Sequence, residues 1–335
     1  MRAIICHEPF RLGLVARDTP VAGPGEVLIR IRRVGLCGTD YHIFSGKHPF
    51  LNYPRVMGHE LSGEVAGLGA GTSLRIGQPV TINPYLACGI CIACRKAKPN
   101  ACVNIRVLGV HIDGGMCDML VVPESAVVDA EGLTADQAAM VEFLAIGAHA
   151  VTRAPAAGVE RMLVVGAGPI GIATALFGRL RGFEVILADR RQARLDYARD
   201  RLGLDGVQAD DRLEAVLGQH TRGDMFDLVF DATGSLPAMR RSLGLVAHGG
   251  ALVLVGVAVG DLTFEDPEFH KREAMLIASR NALSSDFERV IAAIKSGDIP
   301  TDQLQTQSVD AEELPTRMPD LIARADSVLK AIAHF

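Results

Sequence analysis

Four of the seven cysteines lie close together in the sequence, at Cys88, Cys91, Cys94 and Cys102. Their spacing, C-x2-C-x2-C-x7-C, is typical of a zinc ion held by four thiolates. Such a site is structural, because no coordination position is left for a substrate. Glycine, lysine and proline around the cysteines indicate a loop, which disfavours four buried, reduced core thiols. A secreted disulfide scaffold would be shorter and would spread its cysteines more evenly.

A second group of potential metal ligands is scattered along the chain: Cys37, His59, Glu60 and Glu142. Cysteine, histidine and carboxylate together suit a zinc ion that keeps one position for water or a substrate. Taken singly, Cys37 could equally be an ordinary residue of the hydrophobic core. Glu142 could equally be an ordinary carboxylate on the solvated surface. The segment around Glu142, AAMVEFLAIGAHA, is strongly apolar, and an unpaired carboxylate there would be costly. The sequence therefore predicts a catalytic metal site besides the structural one.

A glycine-rich segment, Gly166-Ala-Gly168-Pro169-Ile170-Gly171, follows the apolar strand MLVV and opens a helix. In that context GxGxxG predicts a dinucleotide site. The glycines allow a sharp turn, a close approach of the backbone to a pyrophosphate, and tight packing of helix on strand. The helix N-terminus adds unpaired N–H groups for the phosphates. We expect Arg194, in the next helix, to contact the cofactor as well.

An acidic residue, Asp189, ends the second strand of this region, 18 residues after Gly171. Its carboxylate is placed to bind the two hydroxyls of the adenosine ribose. A 2′-phosphate beside that carboxylate would be repelled, so the sequence favours NAD over NADP. Arg190 leaves NADP open, because an arginine at this point can pair with a phosphate.

The order of elements indicates two domains and the α/β class. About the first 150 residues are rich in strand signals such as Val27–Arg33, with glycine and proline between them, and predict a mostly antiparallel, barrel-like domain. From Arg161 onward strands and helices alternate, which predicts a parallel, doubly wound sheet. Single helices are expected at Ala135–Thr152 and Leu236–Val246. A length of 335 residues agrees with two domains, since single cores stop growing near about 250–300 residues.

Composition and charge exclude several classes of protein. The net charge of −5 lacks the strong basic footprint of a nucleic-acid binder. The uncharged runs Met162–Gly178 and Ser242–Gly260 approach the length of a membrane-spanning helix, but glycines interrupt both, so we expect no membrane span. Met1–Phe10 lacks the features of a signal peptide. We therefore predict a cytoplasmic, reducing location, where clustered cysteines hold metal more often than they form disulfides.

The motifs follow one another in a definite order: CGTDYH at 37–42, GHE-x2-G at 58–63, the four-cysteine lobe, and GAGPIG at 166–171. Together they resemble the zinc-containing medium-chain dehydrogenase/reductase family over nearly the whole chain. Within the family the chain is most similar to the polyol, sugar-acid and threonine dehydrogenase branch. The segment CGTDYHIFSGKHPFLNYPRVMGHE is most similar to the sugar and sugar-acid oxidoreductases of that branch. The resemblance implies a GroES-like, β-rich catalytic domain with both zinc sites, formed by residues 1–150 and 286–335. An NAD-binding Rossmann domain, residues 151–285, is inserted between them.

The resemblance also assigns the metal ligands by position. Cys37 and His59 correspond to catalytic zinc ligands. Either Glu60 or Glu142 completes the shell, with exchange during turnover, and the sequence leaves the choice between them open. Phe143 departs from the family, because a proline often follows this glutamate.

Further residues acquire roles from the same resemblance. Thr39 takes the place of the hydroxyl that accepts the proton of the substrate, and His42 that of the histidine that passes it to solvent through the nicotinamide ribose. Asp40 is expected to pack near the zinc and to support His59. We expect three polar side chains to contact substrate hydroxyls or a carboxylate: Lys47, His48 and His111. For Lys47 and His48, a simple role as solvated surface residues explains the sequence equally well.

The implied reaction is the NAD-dependent oxidation of a secondary alcohol of a polyol, sugar or sugar acid. Two zinc ions per chain are expected, one catalytic and one structural. Other substrates left open are a simple alcohol and an amino alcohol such as threonine, and a non-catalytic nucleotide-binding sensor is the alternative from another class. Further cofactor contacts are expected at Thr233, Val255, Gly256 and Arg280.

The resemblance to this family also implies that the chain assembles as a homodimer or homotetramer. Candidate contacts are the sheet-edge strands Ala251–Val255 and Ala274–Ala278.

Overall fold

The computed structural model of the chain describes residues 1–48, 51–155, 157–324 and 327–335. It forms two compact units. The terminal unit consists of Met1–Phe143 and Ala282–Phe335, and the central unit of Leu144–Asn281. The first limit between the units falls inside a helix, Val141–Arg153.

The described residues form short strands in the terminal unit and a strand–helix alternation in the central one. The strands of the terminal unit are β1 (Arg2–Glu8), β2 (Arg11–Ala16), β3 (Glu26–Leu36), β4 (Arg55–Val56), β5 (Glu60–Leu68), β6 (Pro79–Ile82), β7 (Tyr85–Leu86), β8 (Arg106–Val107), β9 (Met119–Pro123), β10 (Val127–Asp129), β17 (Gln305–Asp310) and β18 (Lys330–His334). Those of the central unit are β11 (Arg161–Val165), β12 (Glu184–Asp189), β13 (Gly206–Gln208), β14 (Phe226–Asp231), β15 (Val246–Leu254) and β16 (Met275–Ala278).

Helices connect these strands. Before the central unit they are α1 (Gly38–Phe44), α2 (Ile92–Arg95), α3 (Ala135–Ala139) and α4 (Val141–Arg153). Within it they are α5 (Pro169–Leu180), α6 (Gln192–Leu202), α7 (Leu213–His220), α8 (Leu236–Ser242) and α9 (Asp266–Lys271), and after it α10 (Ser284–Lys295), α11 (Thr301–Leu304) and α12 (Leu314–Ala323). Short 3-10 turns occur at Pro99–Ala101, Glu124–Ala126 and Leu243–Leu245.

Strand β3 is the central strand of the terminal unit. The larger sheet has the order β10, β6, β5, β3, β18, β17, and β9 also pairs with β3. All of these pairings are antiparallel except that of β17 with β18. Along β3, Val27, Ile29 and Ile31 are buried while Arg30 and Arg32 are exposed, the alternation expected of a half-buried strand. The predicted β-rich, mostly antiparallel domain is confirmed.

The central unit contains a parallel sheet of six strands, in the order β13, β12, β11, β14, β15, β16. Its inner strands are largely buried, and Met162–Val165 of β11 and Leu228–Asp231 of β14 have no exposed residue, whereas the edge strands β13 and β16 are mostly exposed. Such continuous apolar runs are typical of a sheet covered on both faces by helices. The order reverses between β11 and β14, the point where doubly wound sheets bind ligands at the carboxyl ends of their strands. The predicted Rossmann-like sheet is confirmed.

Three element predictions were wrong in detail. The helix expected at Ala135–Thr152 is two helices, α3 and α4, because Met140 ends the first one. The helix expected at Leu236–Val246 ends at Ser242, tightens into a 3-10 turn, and gives way to β15 at Val246, a β-branched residue that suits a strand. The strand expected at Ala251–Val255 is not a sheet edge, because it belongs to β15 and lies between β14 and β16.

Both long uncharged runs resolve into several short elements. Met162–Gly178 contains most of β11 and the start of α5, and Ser242–Gly260 contains β15. None of the described helices has the combined length and hydrophobicity that crossing a membrane requires.

Candidate active site and metal centres

The four clustered cysteines converge in a lobe of the terminal unit made of β7, α2 and β8. The Sγ atoms of Cys91 and Cys94 are 3.5 Å apart, those of Cys88 and Cys102 3.5 Å, and those of Cys91 and Cys102 3.8 Å. A tetrahedron of sulfurs around zinc, with bonds of about 2.3 Å, has edges of about 3.8 Å. The spacing of the sulfurs therefore fits a zinc ion with four thiolate ligands.

The backbone of the lobe favours thiolates. The amides of Cys94 and Val103 hydrogen-bond the sulfur of Cys91 and lower its pKa to about 6. At Cys94, burial and the neighbouring sulfurs raise the pKa to about 11 instead. Four sulfurs this close cannot all carry negative charge without a cation among them, and a divalent ion supplies that charge.

The predicted catalytic ligands meet where β3 and β5 pair. Cys37 follows β3, Glu60 opens β5, and Gly35 is directly opposite Glu60 in the register. The ligand atoms of Cys37, His59 and Glu60 all lie within 4.8 Å of one another. Gly35 has to be a glycine, because a Cβ at that position would overlap Oε2 of Glu60.

The donor set of this cluster fits zinc. Nδ1 of His59 is buried and has no hydrogen-bond partner in the described part of the chain. Burial lowers the pKa of His59, but Cys37, Asp40 and Glu142 outweigh burial and bring the pKa well above its ordinary value. An imidazole surrounded by three acidic groups marks a point where a cation is favoured. Thiolate, imidazole and carboxylate are the donor types that a catalytic zinc takes.

Asp40 braces the loops that carry these ligands. Its side chain is fully buried, and its carboxylate accepts hydrogen bonds from the amide of Cys37 at 2.9 Å and from the amide of Gly58 at 3.2 Å. Burial raises the pKa of Asp40, while His59 and these two amides lower it. Asp40 thus fixes the backbone of Cys37 and the residue before His59, instead of hydrogen-bonding the free Nδ1 of His59.

The second candidate carboxylate, Glu142, lies in the first turn of α4 and is almost fully buried. The hydroxyl of Tyr85 in β7 donates a hydrogen bond to its Oε1. Burial raises the pKa of Glu142 to about 7, against the opposing effects of His59 and Tyr85. Among the described residues, the compact group of metal donors includes Glu60 and not Glu142. The geometry therefore favours Glu60 as the nearer carboxylate.

A buried lysine that the sequence analysis did not select belongs to the same cluster. Nζ of Lys330, in β18, lies 2.7 Å from both carboxylate oxygens of Glu60 and 3.2 Å from the carbonyl oxygen of Leu36. It also lies 4.4 Å from the ring centroid of Phe143, a cation–π contact. Burial lowers the pKa of Lys330, but Glu60 and Cys37 raise it further, and the net shift is upward. Lys330 is therefore a permanent positive charge facing Glu60.

The predicted proton-transfer residues share one face of α1. Thr39 is half-buried and His42 is exposed, and their separation by three residues places them side by side on the helix. His42, His59 and His111 are near enough to His48 to lower its pKa, although burial of the His48 ring has the larger effect. Lys47 is exposed. His42, His59 and His111 thus lie near His48, and the lowered pKa of His48 favours its neutral imidazole.

The glycine-rich loop of the central unit has the expected form. Gly166 has a φ of +102°, and a Cβ on Gly171 would overlap the carbonyl oxygen of Gly166. The carboxylate of Asp189 accepts hydrogen bonds from the amides of Ala167 at 2.7 Å and Arg191 at 2.8 Å. Asp189 therefore joins the glycine-rich turn to the end of β12.

The remaining predicted cofactor residues lie near this turn or at the sheet end. Nη1 of Arg194 is 3.3 Å from the position that a Cβ on Gly168 would take, so the guanidinium covers that glycine. Pro169 and Ile170 form the first turn of α5. Three others follow the carboxyl ends of β14 and β15: Thr233, Val255 and Gly256. Arg280 follows β16 and is exposed.

The sequence analysis missed Lys330 and Tyr85. Lys330 had a signal, since it is a single charge within the apolar segment VLKAIAHF. A lysine in such a run is costly to bury unless a carboxylate pairs with it. Tyr85 lies three residues before Cys88 and carries no comparable signal.

Two family models match the chain. Residues 23–132 match the alcohol dehydrogenase GroES-like domain, and residues 169–296 match the zinc-binding dehydrogenase model. Fold and site together define an oxidoreductase that acts on CH–OH donors.

Curated relatives and a solved structure cover most of the chain. L-galactonate-5-dehydrogenase of Escherichia coli K12 is 43% identical over 309 residues, which span 91% of each chain. The chain belongs to the zinc-containing medium-chain dehydrogenase/reductase family. 2-dehydro-3-deoxy-L-galactonate 5-dehydrogenase of Pseudoalteromonas atlantica is 30% identical over 82% of each chain. A crystal structure of the E. coli CFT073 alcohol dehydrogenase RspB, complexed with NADH, matches with a TM-score of 0.94 at 28% identity, covering 100% of this chain and 99% of that one.

Replacing Lys330 by methionine tests the buried ion pair. Lys330→Met leaves Glu60 buried without its cation, and we expect the free energy of unfolding to fall by about 3–5 kcal/mol, measured by urea denaturation of the chelator-treated protein. The double variant Lys330→Met/Glu60→Gln should recover most of that loss, because neither charge remains unpaired. Lys271→Met, at an exposed lysine, serves as the control and should change the stability by about 0.5 kcal/mol or less. A Lys330→Met protein as stable as the wild type would show that the pair has no structural importance.

Proposed function

We propose that the protein oxidises a secondary alcohol of a polyol, sugar or sugar acid, with NAD⁺ as the hydride acceptor. The proposal rests first on the cluster of Cys37, His59 and Glu60, in which Cys37 directly precedes the helix bearing Thr39 and His42. The family and its relatives named as sugar-acid dehydrogenases support the same reaction class.

Two bound groups would supply the chemistry that side chains lack. Cys37 and His59, with Glu60 or Glu142, would hold a zinc ion, which acts as a Lewis acid on the alcohol oxygen when bound. NAD⁺ supplies the acceptor for the hydride. Cys88, Cys91, Cys94 and Cys102 would hold a second, structural zinc ion. The expected content is therefore two zinc ions per chain.

The chain's own residues then handle the proton. Thr39 accepts it from the substrate hydroxyl and donates its own hydrogen onward, and His42, exposed on the next turn of α1, passes it to solvent. Asp40 keeps Cys37 in place during this exchange through its hydrogen bond to the Cys37 amide. Glu60 lies opposite Lys330, whose ammonium donates to both of its carboxylate oxygens at 2.7 Å and holds that side chain in place.

Lys47, exposed just after α1, favours an acidic substrate. The histidines His42, His48 and His111 are polar groups that suit hydroxyls. The relative with 43% identity is named for L-galactonate, a sugar acid. A sugar acid therefore accords with both the charge of Lys47 and the name of that relative.

The choice of NAD over NADP rests on Asp189. Its carboxylate, oriented by the amides of Ala167 and Arg191, places negative charge where the ribose binds. A 2′-phosphate there would be repelled. The NADH bound to RspB accords with the same choice.

All seven cysteines are free of disulfides, which suits a reducing compartment such as the cytoplasm.

We also propose association through β16. This strand is an edge of the central sheet, and its residues Met275 and Leu276 are 42% and 41% exposed. Val257 and Val259 are 86% and 84% exposed. An uncovered apolar edge strand is a template for pairing with another copy of the chain, as in a homodimer or homotetramer.

Replacing Cys37 by alanine tests the catalytic metal site. Cys37→Ala should lower the zinc content from two ions per chain to one, and kcat by at least about a hundredfold, because Lewis-acid activation is lost. Metal analysis and NADH absorbance measure the two effects. Cys117→Ala, at a buried cysteine outside both clusters, is the matched control and should keep both zinc ions. Two zinc ions and wild-type turnover in Cys37→Ala would refute the assignment.

A substrate panel tests the specificity. Aldonates, alditols, aldoses, short secondary alcohols and threonine are compared by kcat/KM, and we expect aldonates and alditols to rank highest. Lys47→Met should lower kcat/KM for aldonates by about fivefold and leave neutral alditols unchanged, since it removes an exposed charge. A clear preference for threonine would instead establish the amino-alcohol alternative, and no turnover of any compound would favour the nucleotide sensor.

Replacing Leu276 by lysine tests the proposed association. A charge on the edge strand should prevent pairing, and analytical ultracentrifugation should then give the mass of a single chain. Val21→Lys adds the same charge to an exposed apolar position of the terminal unit and serves as the control. An unchanged oligomeric mass for Leu276→Lys would place the contact elsewhere.

A further inference from the structure

A fully buried carboxylate, Asp231, ends β14 at the reversal point of the central sheet. β14 pairs with β11, which leads into the glycine-rich turn, and with β15, which leads to Val255 and Gly256. Asp231 therefore lies between the two turns expected to meet the cofactor. It has no assigned role in the site described above.

Its carboxylate holds the loop that follows β14. Oδ1 accepts hydrogen bonds from the amide of Thr233 at 2.9 Å and from the hydroxyl of Thr233 at 2.6 Å. Oδ2 accepts a hydrogen bond from the hydroxyl of Ser242, in α8, at 2.8 Å. The amide and the hydroxyl of Thr233 both donate to Asp231, whereas the hydroxyl of Ser242 has a second acceptor in the carbonyl oxygen of Ala238 at 2.9 Å, so Thr233 supplies the defined donors of this anchor.

The backbone of Asp231 also fixes the next turn. Its carbonyl oxygen accepts hydrogen bonds from the amides of Val255 and Gly256, each at 2.9 Å. One residue thus connects the loop after β14, the turn after β15 and helix α8.

The loop from Ala232 to Ser235 packs against both glycine turns. A Cβ on Gly166 would lie 3.2 Å from Cγ2 of Thr233, and a Cβ on Gly256 would overlap the amide nitrogen of Gly234. With contacts this close, a shift of the loop has to change the shape of the cofactor site.

The hydroxyl of Thr233 gives its one hydrogen to a partner within the protein. It donates its one hydrogen to Asp231 and accepts a hydrogen bond from the amide of Ser235 at 3.1 Å. It therefore has no hydrogen to offer a bound nucleotide while this bond persists.

We propose that Asp231 is a positioning residue for the coenzyme: it fixes the loop after β14 through the hydroxyl of Thr233, which acts as an internal anchor and does not donate a hydrogen bond to the coenzyme. This inference rests on the proposed NAD binding. Asp231 acts through the loop and does not touch the reacting atoms.

The first test compares two aspartates of the same strand. Asp231→Asn presents an amide N–H₂ to hydroxyl or amide donors, which disrupts the anchor, and should raise the Kd for NADH about tenfold or more. Asp227→Asn changes the carboxylate near the start of β14, which accepts from the amides of Glu160 and Arg161, and should leave the Kd within about twofold. Because the chain has no tryptophan, the fluorescence of NADH reports its binding without interference.

The second test separates an anchor from a direct contact. Thr233→Val removes the hydroxyl but keeps the shape, and Thr233→Ser restores the hydroxyl. Under the proposal, Thr233→Val weakens NADH binding as much as Asp231→Asn does, the double variant is no weaker than either single one, and Thr233→Ser recovers the affinity. Additive losses in the double variant would instead show that Thr233 contacts the coenzyme directly.

A third measurement does not depend on the coenzyme. Amide hydrogen exchange at Thr233, Val255 and Gly256 should become faster in Asp231→Asn than in Asp227→Asn, without NADH present. Unchanged exchange and unchanged Kd in Asp231→Asn would overturn the inference. If wild-type protein fails to bind NADH while exchange still responds to Asp231→Asn, the proposed cofactor is wrong and the anchoring of the loop is right.

Discussion

The active site depends on one constraint: charged side chains buried together in the terminal unit must neutralise one another. Glu60, Glu142 and Asp40 are buried close to His59, Cys37 is half-buried beside it, and the ammonium of Lys330 pairs with Glu60. Charges removed from water require partners, and half of a buried ion pair is costly. The close approach of β3 and β5 at Gly35 and the bracing by Asp40 bring these groups together. The chemistry of the site follows from that charge balance.

Local sequence patterns predicted much of this molecule correctly. The apolar residues MLVV lie in β11, the glycine-rich segment opens α5, and Asp189 ends β12, all as predicted. These elements have strong local signals: uninterrupted apolar residues, proline at the start of a helix, or glycine at a turn. The candidate ligands Cys37, His59 and Glu60 also came from short motifs, and the fold brings their ligand atoms together.

Other features depend on residues far apart in the sequence. Lys330 pairs with Glu60 across 270 positions, and Tyr85 reaches Glu142 across 57. No local periodicity describes such pairs, because they arise only when β18 lies beside β3 and β7 lies near α4. The break at Met140 is similar: the alanine-rich run around it favours one helix, and only tertiary packing separates two. Asp231 was overlooked for another reason, since its partners are two hydroxyls and backbone amides rather than an opposite charge.

The place of β18 in the sheet also bears on how the chain folds. During synthesis, β3 and β5 emerge early and the whole central unit follows, whereas Lys330 appears nearly 300 residues after β3. Until then Glu60 lacks its cation, and β3 lacks one of its strand neighbours. The central unit holds its own sheet, so it can reach its final form first. Assembly of the terminal unit is therefore a late, non-local step, in which closure of the sheet and neutralisation of the buried carboxylate occur together.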